Sequence, residues 1–169
     1  MEYTLTKDIG KLTTDMEEMF VEELRGGKTY FWITADGRSD GTIGFLKTKT
    51  NPGFFTAKLK RFPKIVEAIK KMYPTVNIDN SYATKLMPRY VMKMHVDKNR
   101  DTAILIPLGS NKGTLSHLLD DKLTEHVYTG PALARVDIPH SASNTSDEIR
   151  YALTLEVPGS FEENLKIYI

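Results

Sequence analysis

Cysteine is absent from this 169-residue chain, which rules out disulfides, a thiolate nucleophile and any cysteine-held zinc or iron–sulfur centre. Tryptophan occurs once, and no apolar run approaches the ~20 residues a membrane-crossing helix needs. Charge of one sign is also missing. Twenty-three Lys and Arg against 22 Asp and Glu leave +1, so no global field draws the chain to nucleic acid or to a membrane surface. The first ten residues, MEYTLTKDIG, lack a basic segment followed by an apolar one, so a secretory signal is not expected and a reducing cytoplasm is the expected setting. Repeats, low-complexity tracts and Pro/Gly/Ser-rich linkers are lacking too. What remains is 40% hydrophobic and 27% charged residues, the balance of a globular protein able to bury roughly 70% of its unfolded surface. Any metal chemistry must come from His, Asp and Glu.

The pattern predicts one domain over 1–169, with a helical support region containing a strand over 1–80 and a β-rich core over 81–169. A helix is expected over 14–25. Thr14 and Glu17 have capping-box spacing, Met16, Met19, Phe20 and Leu24 share a face, and Gly26-Gly27 ends it. Tyr30–Thr34 reads as a strand, with turn signals at Asp36-Gly37 and Asp40-Gly41. Pro63 suits the first position of a second helix reaching Met72, with Ile65, Val66, Ile69 and Met72 as its buried stripe. Short strands follow at 82–86, 90–97, 102–108, 114–118, 132–138 and 149–157, with turns at 87–88, 99–101, 109–113, 129–131 and 141–147. Strands so short and closely spaced predict a mainly β fold, a jelly roll under an N-terminal helical layer.

Within that core, His95 and Asp97 are two residues apart, so on a strand both face one way. His140 opens a loop after another strand-like run. Two neutral imidazoles and one carboxylate hold a divalent ion while leaving coordination positions open, the mark of a reactive rather than a closed structural site. Arg150 follows ten residues later. Tyr151, Leu153, Leu155 and Val157 share one strand face; Arg150, Ala152 and Thr154 share the other. If the apolar set meets the helices, Arg150 points into the barrel, where a guanidinium without an anion is costly. A dicarboxylate gripped at two points satisfies it. His126 and His117 are the competing metal candidates; His126 precedes Arg135 by nine residues, but that choice leaves His140 and Arg150 without a role. Lys93, on the His95 face, is a second candidate cation.

In these residues the chain resembles the Fe(II)- and 2-oxoglutarate-dependent oxygenases, over residues 81–157. It is most similar to the aspartyl/asparaginyl β-hydroxylase-like branch, with prolyl-hydroxylase-like relatives as the alternative. The likeness rests on the run Leu86 to His95 with Pro88, on Asp97, on Ile104 to Leu108, and on His140, Asn144 and Arg150 in order. The resemblance implies a double-stranded β-helix. It implies His95, Asp97 and His140 as Fe(II) ligands, Arg150 as the partner of the 2-oxoglutarate C5 carboxylate, and Thr84 as a hydroxyl beside it. It further implies hydroxylation of a peptidyl or free amino-acid side chain with O2, releasing succinate and CO2. Because the imidazoles must be neutral, activity is expected to fall below about pH 6. The chain departs from the pattern at Arg89, where the family has Gly, at Ala152, where many members have Ser, and at Ile104 and Ile106, where the branch has basic residues. Tyr30, Trp32, Phe54, Phe55 and the Asn51-Pro52-Gly53 turn are candidates to line a substrate site. Two other readings stay open: a cupin-like metalloenzyme that does not use 2-oxoglutarate, and a non-catalytic jelly-roll binding module.

Overall fold

The computed structural model of the chain describes residues 4–26, 45–47, 51–109 and 113–168. The strand expected at Tyr30–Thr34, its following turns and the candidate lining residues Tyr30 and Trp32 lie outside them. Ten strands and three helices follow in order: β1 (Thr6–Asp8), α1 (Thr14–Arg25), β2 (Leu46–Lys47), β3 (Phe54–Lys58), α2 (Pro63–Met72), β4 (Asn77–Leu86), β5 (Thr102–Leu108), β6 (Gly113–Leu119), β7 (Lys122–Tyr128), β8 (Ala132–Arg135), β9 (His140–Ser143), β10 (Arg150–Glu156) and α3 (Phe161–Tyr168). A seven-stranded sheet runs β1-β8-β5-β10-β4-β3-β2, a three-stranded sheet runs β7-β6-β9, and every named pair is antiparallel. The architecture is mainly β, a double-stranded β-helix backed by helices. Among the described residues no helix is long and apolar enough to cross a membrane.

The large sheet separates two cores. On its outer face Ile104, Ile106, Leu133, Leu153 and Leu155 pack with Phe20 and Leu24 of α1, Ile65 and Ile69 of α2 and Phe161 of α3. On its inner face Ala103, Leu105, Ala132 and Ala134 meet Leu115 and Tyr128 of the small sheet. β5 is therefore buried along its whole length, which is why it reads as an unbroken apolar run and not as an alternation. Each fully buried Leu or Ile contributes about 1.5–3 kcal/mol relative to exposure, so the helix-backed face is the principal source of stability.

Both expected helices have the boundaries the sequence predicts. The cap of α1 is Thr13 rather than Thr14: its hydroxyl accepts from the Met16 backbone N–H at 3.2 Å. At α2, whose own first residues supply no side-chain cap, Glu23 of α1 accepts from the Lys64 and Ile65 backbone N–H groups at 3.0 and 2.9 Å. One carboxylate thus caps a second helix and fixes the angle between the two. Several strands differ from expectation. β4 begins at Asn77, β8 ends at Arg135, and β9 occupies residues assigned to a turn; β3, β7 and the terminal helix α3 were not foreseen. Residues 90–97 are extended but join no ladder, making only isolated bridges, Val91 with Ser143 and His95 with His140. The preceding Arg89 takes φ 60°, the left-handed turn conformation for which glycine is the usual residue.

Candidate metal centre

Segment 90–97 is pinned at both ends. A Cβ at position 53 would lie 2.4 Å from the Tyr90 ring, so the bare backbone of Gly53 is what admits that ring, whose hydroxyl then donates to Asn51 Oδ1 at 3.2 Å. Buried Asn144 donates from its amide to the Leu86, Met87 and Glu148 carbonyls at 3.1, 3.2 and 2.7 Å, tying the approach to segment 90–97 to the approach to β10. Backbone N–H groups of Met92, His95 and Asp97 then donate to Ala142, His140 and Val136.

His95 and His140 exchange both backbone hydrogen bonds, at 2.9 Å each, so they stand directly opposite one another with ring centroids 4.4 Å apart. Alternation carries Asp97 to the same side. Its Oδ1 lies 3.4 Å from His95 Nε2 and 3.3 Å from His140 Nε2, and the donor atoms of the three residues fall within 4.8 Å of one another. Nδ1 of His95 faces the Lys93 carbonyl at 2.9 Å and Nδ1 of His140 faces the Ile138 carbonyl at 2.8 Å. A carbonyl only accepts, so both Nδ1 atoms carry the proton and both Nε2 atoms turn toward Asp97. That is the tautomer a metal-binding imidazole requires.

The electrostatics suit a cation. Burial opposes ionisation of Asp97, but hydrogen bonds from His140 and His95, made when those rings carry a second proton at Nε2, outweigh it and hold the carboxyl well below the usual range. The hydrogen bond to Asp97 raises the pKa of His95 against the opposing effect of burial. The carboxylate favours positive charge beside it, which a divalent ion bound at both Nε2 atoms would supply in place of protons.

Arg150, the first residue of β10, is 3% exposed. One nitrogen, Nη1, donates to the Ser143 carbonyl at 2.8 Å, whereas Nε is buried without a partner. Among the described residues no carboxylate pairs with it. It lines one cavity of about 360 Å³ together with His95, Asp97, His140, Thr84, Ala152 and Thr154. Thr84 lies opposite Ala152 across the β4–β10 ladder and donates its hydroxyl to that residue's carbonyl at 3.3 Å. A buried guanidinium with an unsatisfied nitrogen opens on the same cavity as a two-imidazole, one-carboxylate cluster, a donor set that fits a divalent metal ion beside room for an anion.

The other sequence candidates fall elsewhere. His126 is half-buried and pairs with Asp8 at 3.1 Å, and Arg135 is held by Asp137 at 2.7 Å, so this combination forms no cluster. His117 is 1% exposed and outside the cluster, its Nε2 facing the Arg135 carbonyl at 2.7 Å. Lys93 is exposed and stands apart from the cavity wall. Ile104 and Ile106 turn to the helices, so a basic residue at either position would not reach the site; Leu105 is the β5 residue that does. Phe54 lines the cavity, whereas Phe55 belongs to the helix-backed core. Tyr82, Arg100, Leu115 and Tyr128 also form the wall and were not foreseen. For Tyr82 the signal was available, since it continues by twos from Thr84, as Thr154 does from Arg150 on the face the sequence assigned to the barrel interior.

A double-stranded β-helix carrying a His-Asp-His cluster open to an internal cavity is the class that this fold and site define. No family model and no curated protein matches the chain. Among solved structures it is similar to Drosophila melanogaster CENP-C bound to CAL1, with TM-score 0.50 and 15% identity over 84% of this chain and 98% of that one. It is also similar to a 2OG-Fe(II) oxygenase family oxidoreductase from Burkholderia pseudomallei, with TM-score 0.49 and 10% identity over 66% and 70% of the two chains. An oxalate oxidase overlays with TM-score 0.45 and 14% identity over 65% of this chain and 52% of its own length. The first of these likenesses is one of fold alone, and the two scores below 0.5 add nothing to it.

Proposed function

We propose that the chain, acting as one oxygenase domain over 1–169, is an Fe(II)- and 2-oxoglutarate-dependent dioxygenase that hydroxylates a peptidyl or free amino-acid side chain. The observation that carries this reading is the buried Arg150, with Nε unpartnered, facing the same cavity as the His95, Asp97 and His140 donor atoms. His95, Asp97 and His140 would hold the ion. An iron bound there would supply the hydroxylating chemistry, with O2 as the oxidant: one oxygen atom goes to the substrate and the other to 2-oxoglutarate as it is oxidised to succinate and CO2. The protein supplies position. Arg150 binds the far carboxylate of the co-substrate through a charge-assisted pair worth about 1.5–3 kcal/mol, and Thr84 stands beside it with a hydroxyl. The fixed orientation of the two imidazoles comes from the Lys93 and Ile138 carbonyls, which keep Nδ1 protonated. Apolar wall residues such as Leu105, Leu115 and Phe54 exclude water and strengthen every charge interaction inside.

Anaerobic reconstitution with Fe(II), then exposure to O2 and 2-oxoglutarate, should give succinate, and a panel of peptides and amino acids assayed by mass should reveal one that gains an oxygen atom. His95→Ala should abolish both signals, and Arg150→Ala should abolish succinate at ordinary co-substrate concentrations. Unchanged co-substrate affinity in Arg150→Ala would remove that residue's role, whereas metal uptake without succinate from the wild type would leave a cupin-like metalloenzyme that does not use 2-oxoglutarate. The fold likeness to a CENP-C chain bound to CAL1 supports a second reading, a non-catalytic binding module. Failure of the reconstituted protein to take up one divalent ion per chain would decide for it.

A further inference from the structure

Arg100 belongs to no motif and comes three residues after Asp97. Asn99 between them adopts φ 62°, a left-handed turn that asparagine tolerates, and this folds the chain back so that Arg100 lies against the cluster. Its side chain is 12% exposed and held from several sides. Nη2 donates to the Asn80 carbonyl at 2.8 Å, the guanidinium lies 5.8 Å from the Tyr82 ring centroid, and Nε is 3.9 Å from Glu156 Oε1. Nη1 is 3.7 Å from Asp97 Oδ2. The other oxygen, Oδ1, is the one that faces both imidazoles. The two oxygens of Asp97 are thus divided between a fixed cation and the metal cluster.

We propose that Arg100 is a positioning residue for the metal centre: by holding Oδ2 it makes Asp97 a one-point ligand through Oδ1. The inference rests on the metal-centre reading above. It matters because a carboxylate that binds through both oxygens uses one of the coordination positions that a chelating co-substrate and oxygen need. Glu156, on the far side of the guanidinium, offsets its charge, so Arg100 brings little net repulsion toward a divalent ion and acts by orientation. Asn80 and Tyr82 fix the guanidinium independently of Asp97, so it stands ready before the ion arrives.

The test is a Co(II) titration of metal-free protein, read as affinity and as the visible spectrum of the bound ion, in wild type, R100K, R100Q and R100M. Wild type is expected to bind one Co(II). R100Q should bind about 10–100-fold more weakly, the scale typical of outer-shell partners, with an altered absorption band; R100K, which keeps the positive charge but loses the planar fork, should recover part of both. R100M keeps an apolar stem against Tyr82 and replaces R100Q if that variant does not fold. If neither neutral variant folds, an R100K indistinguishable from wild type in affinity and spectrum overturns the proposal. Wild-type affinity and spectrum in a folded neutral variant overturn it as well, while leaving the metal centre intact. No Co(II) uptake by wild type, or unweakened uptake by H95A, overturns the metal centre itself and this inference with it.

Discussion

The two faces of β10 carry opposite work on one seven-residue strand. Leu153 and Leu155 are fully buried in the helix-backed core with Ile104, Ile106 and Ile69. Arg150, Ala152 and Thr154, the intervening residues, line the cavity. The first face is closed and apolar; the second contains a guanidinium whose Nε has no partner. Because β10 is hydrogen-bonded on both edges, to β4 and to β5, neither face can shift without moving the ladder. The helices therefore hold still what the cavity needs held still: stability on one side is the source of positional accuracy on the other.

The largest effect expected from breaking this division is on the closed face. Leu155→Ala should cost about 2–5 kcal/mol in urea unfolding, from lost burial plus the hole left behind, while leaving Co(II) affinity of the folded fraction near wild type. A comparable loss of metal affinity would show that the faces are not separable. On the open face Arg150→Met should invert the pattern. Co-substrate affinity should fall by about 10–100-fold, the equivalent of about 1.5–3 kcal/mol for charge-assisted contacts. The unfolding midpoint should stay close to wild type, since stranding the Ser143 carbonyl is offset by removing an unpaired cation from the interior. A large stability loss in Arg150→Met would mean that the arginine is structural.

The same division governs what was legible in the sequence. The closed face was readable because its signals are local: α2 starts at a proline and repeats its apolar stripe, and β10 alternates by twos, so both were placed within a residue of their ends. The convergence of His95, Asp97 and His140 was readable because the first two are linked by strand period and because His140 and Arg150 follow in a known order. What was missed depends on long-range contacts. β7 exposes Leu123 and Val127 and has no clean alternation, so only its pairing with β6 defines it. Residues 90–97 carry strand-like composition, yet Arg89 turns the chain and their partners are single bridges rather than a ladder. His117 stood as a competing metal candidate because nothing near it in sequence announces the Arg135 carbonyl that receives it. Arg100 was invisible for a related reason, since its role comes from Asn80 and Tyr82 of β4 and Glu156 of β10, two strands distant from it in sequence.

The two faces should also fail at opposite ends of the pH scale. On the helix side, burial and then the nearby Tyr168 push the Tyr73 hydroxyl up to about 12. Its folded pKa lies above the ordinary value of about 10, so its contribution to stability is intact below that value and is lost as pH climbs toward 12. Urea midpoints measured between pH 9 and 11.5 should fall more steeply for wild type than for Tyr73→Phe. Equal slopes would mean that Tyr73 ionises without disturbing the core.

On the cavity side the sign reverses, and the effect is the smallest of the four. Burial lowers the pKa of His117; the Arg135 carbonyl opposes the shift, and the His140 and Arg135 charges add to it. A folded pKa below the unfolded value of about 6.5 means stability that is present above that pH and lost as pH falls through the folded value. His95 works against this, because its pKa is raised by Asp97 and its contribution is present below about 6.5 and lost on going up. Metal-free wild type should therefore show a shallow net slope between pH 5 and 8, the difference of two opposed terms. His117→Gln leaves the His95 term alone, so this variant should become more stable, not less, as pH drops from 8 to 5. A variant slope that matches wild type would show that His117 is accommodated in its charged form, and that the floor beneath His140 is softer than its 1% exposure implies.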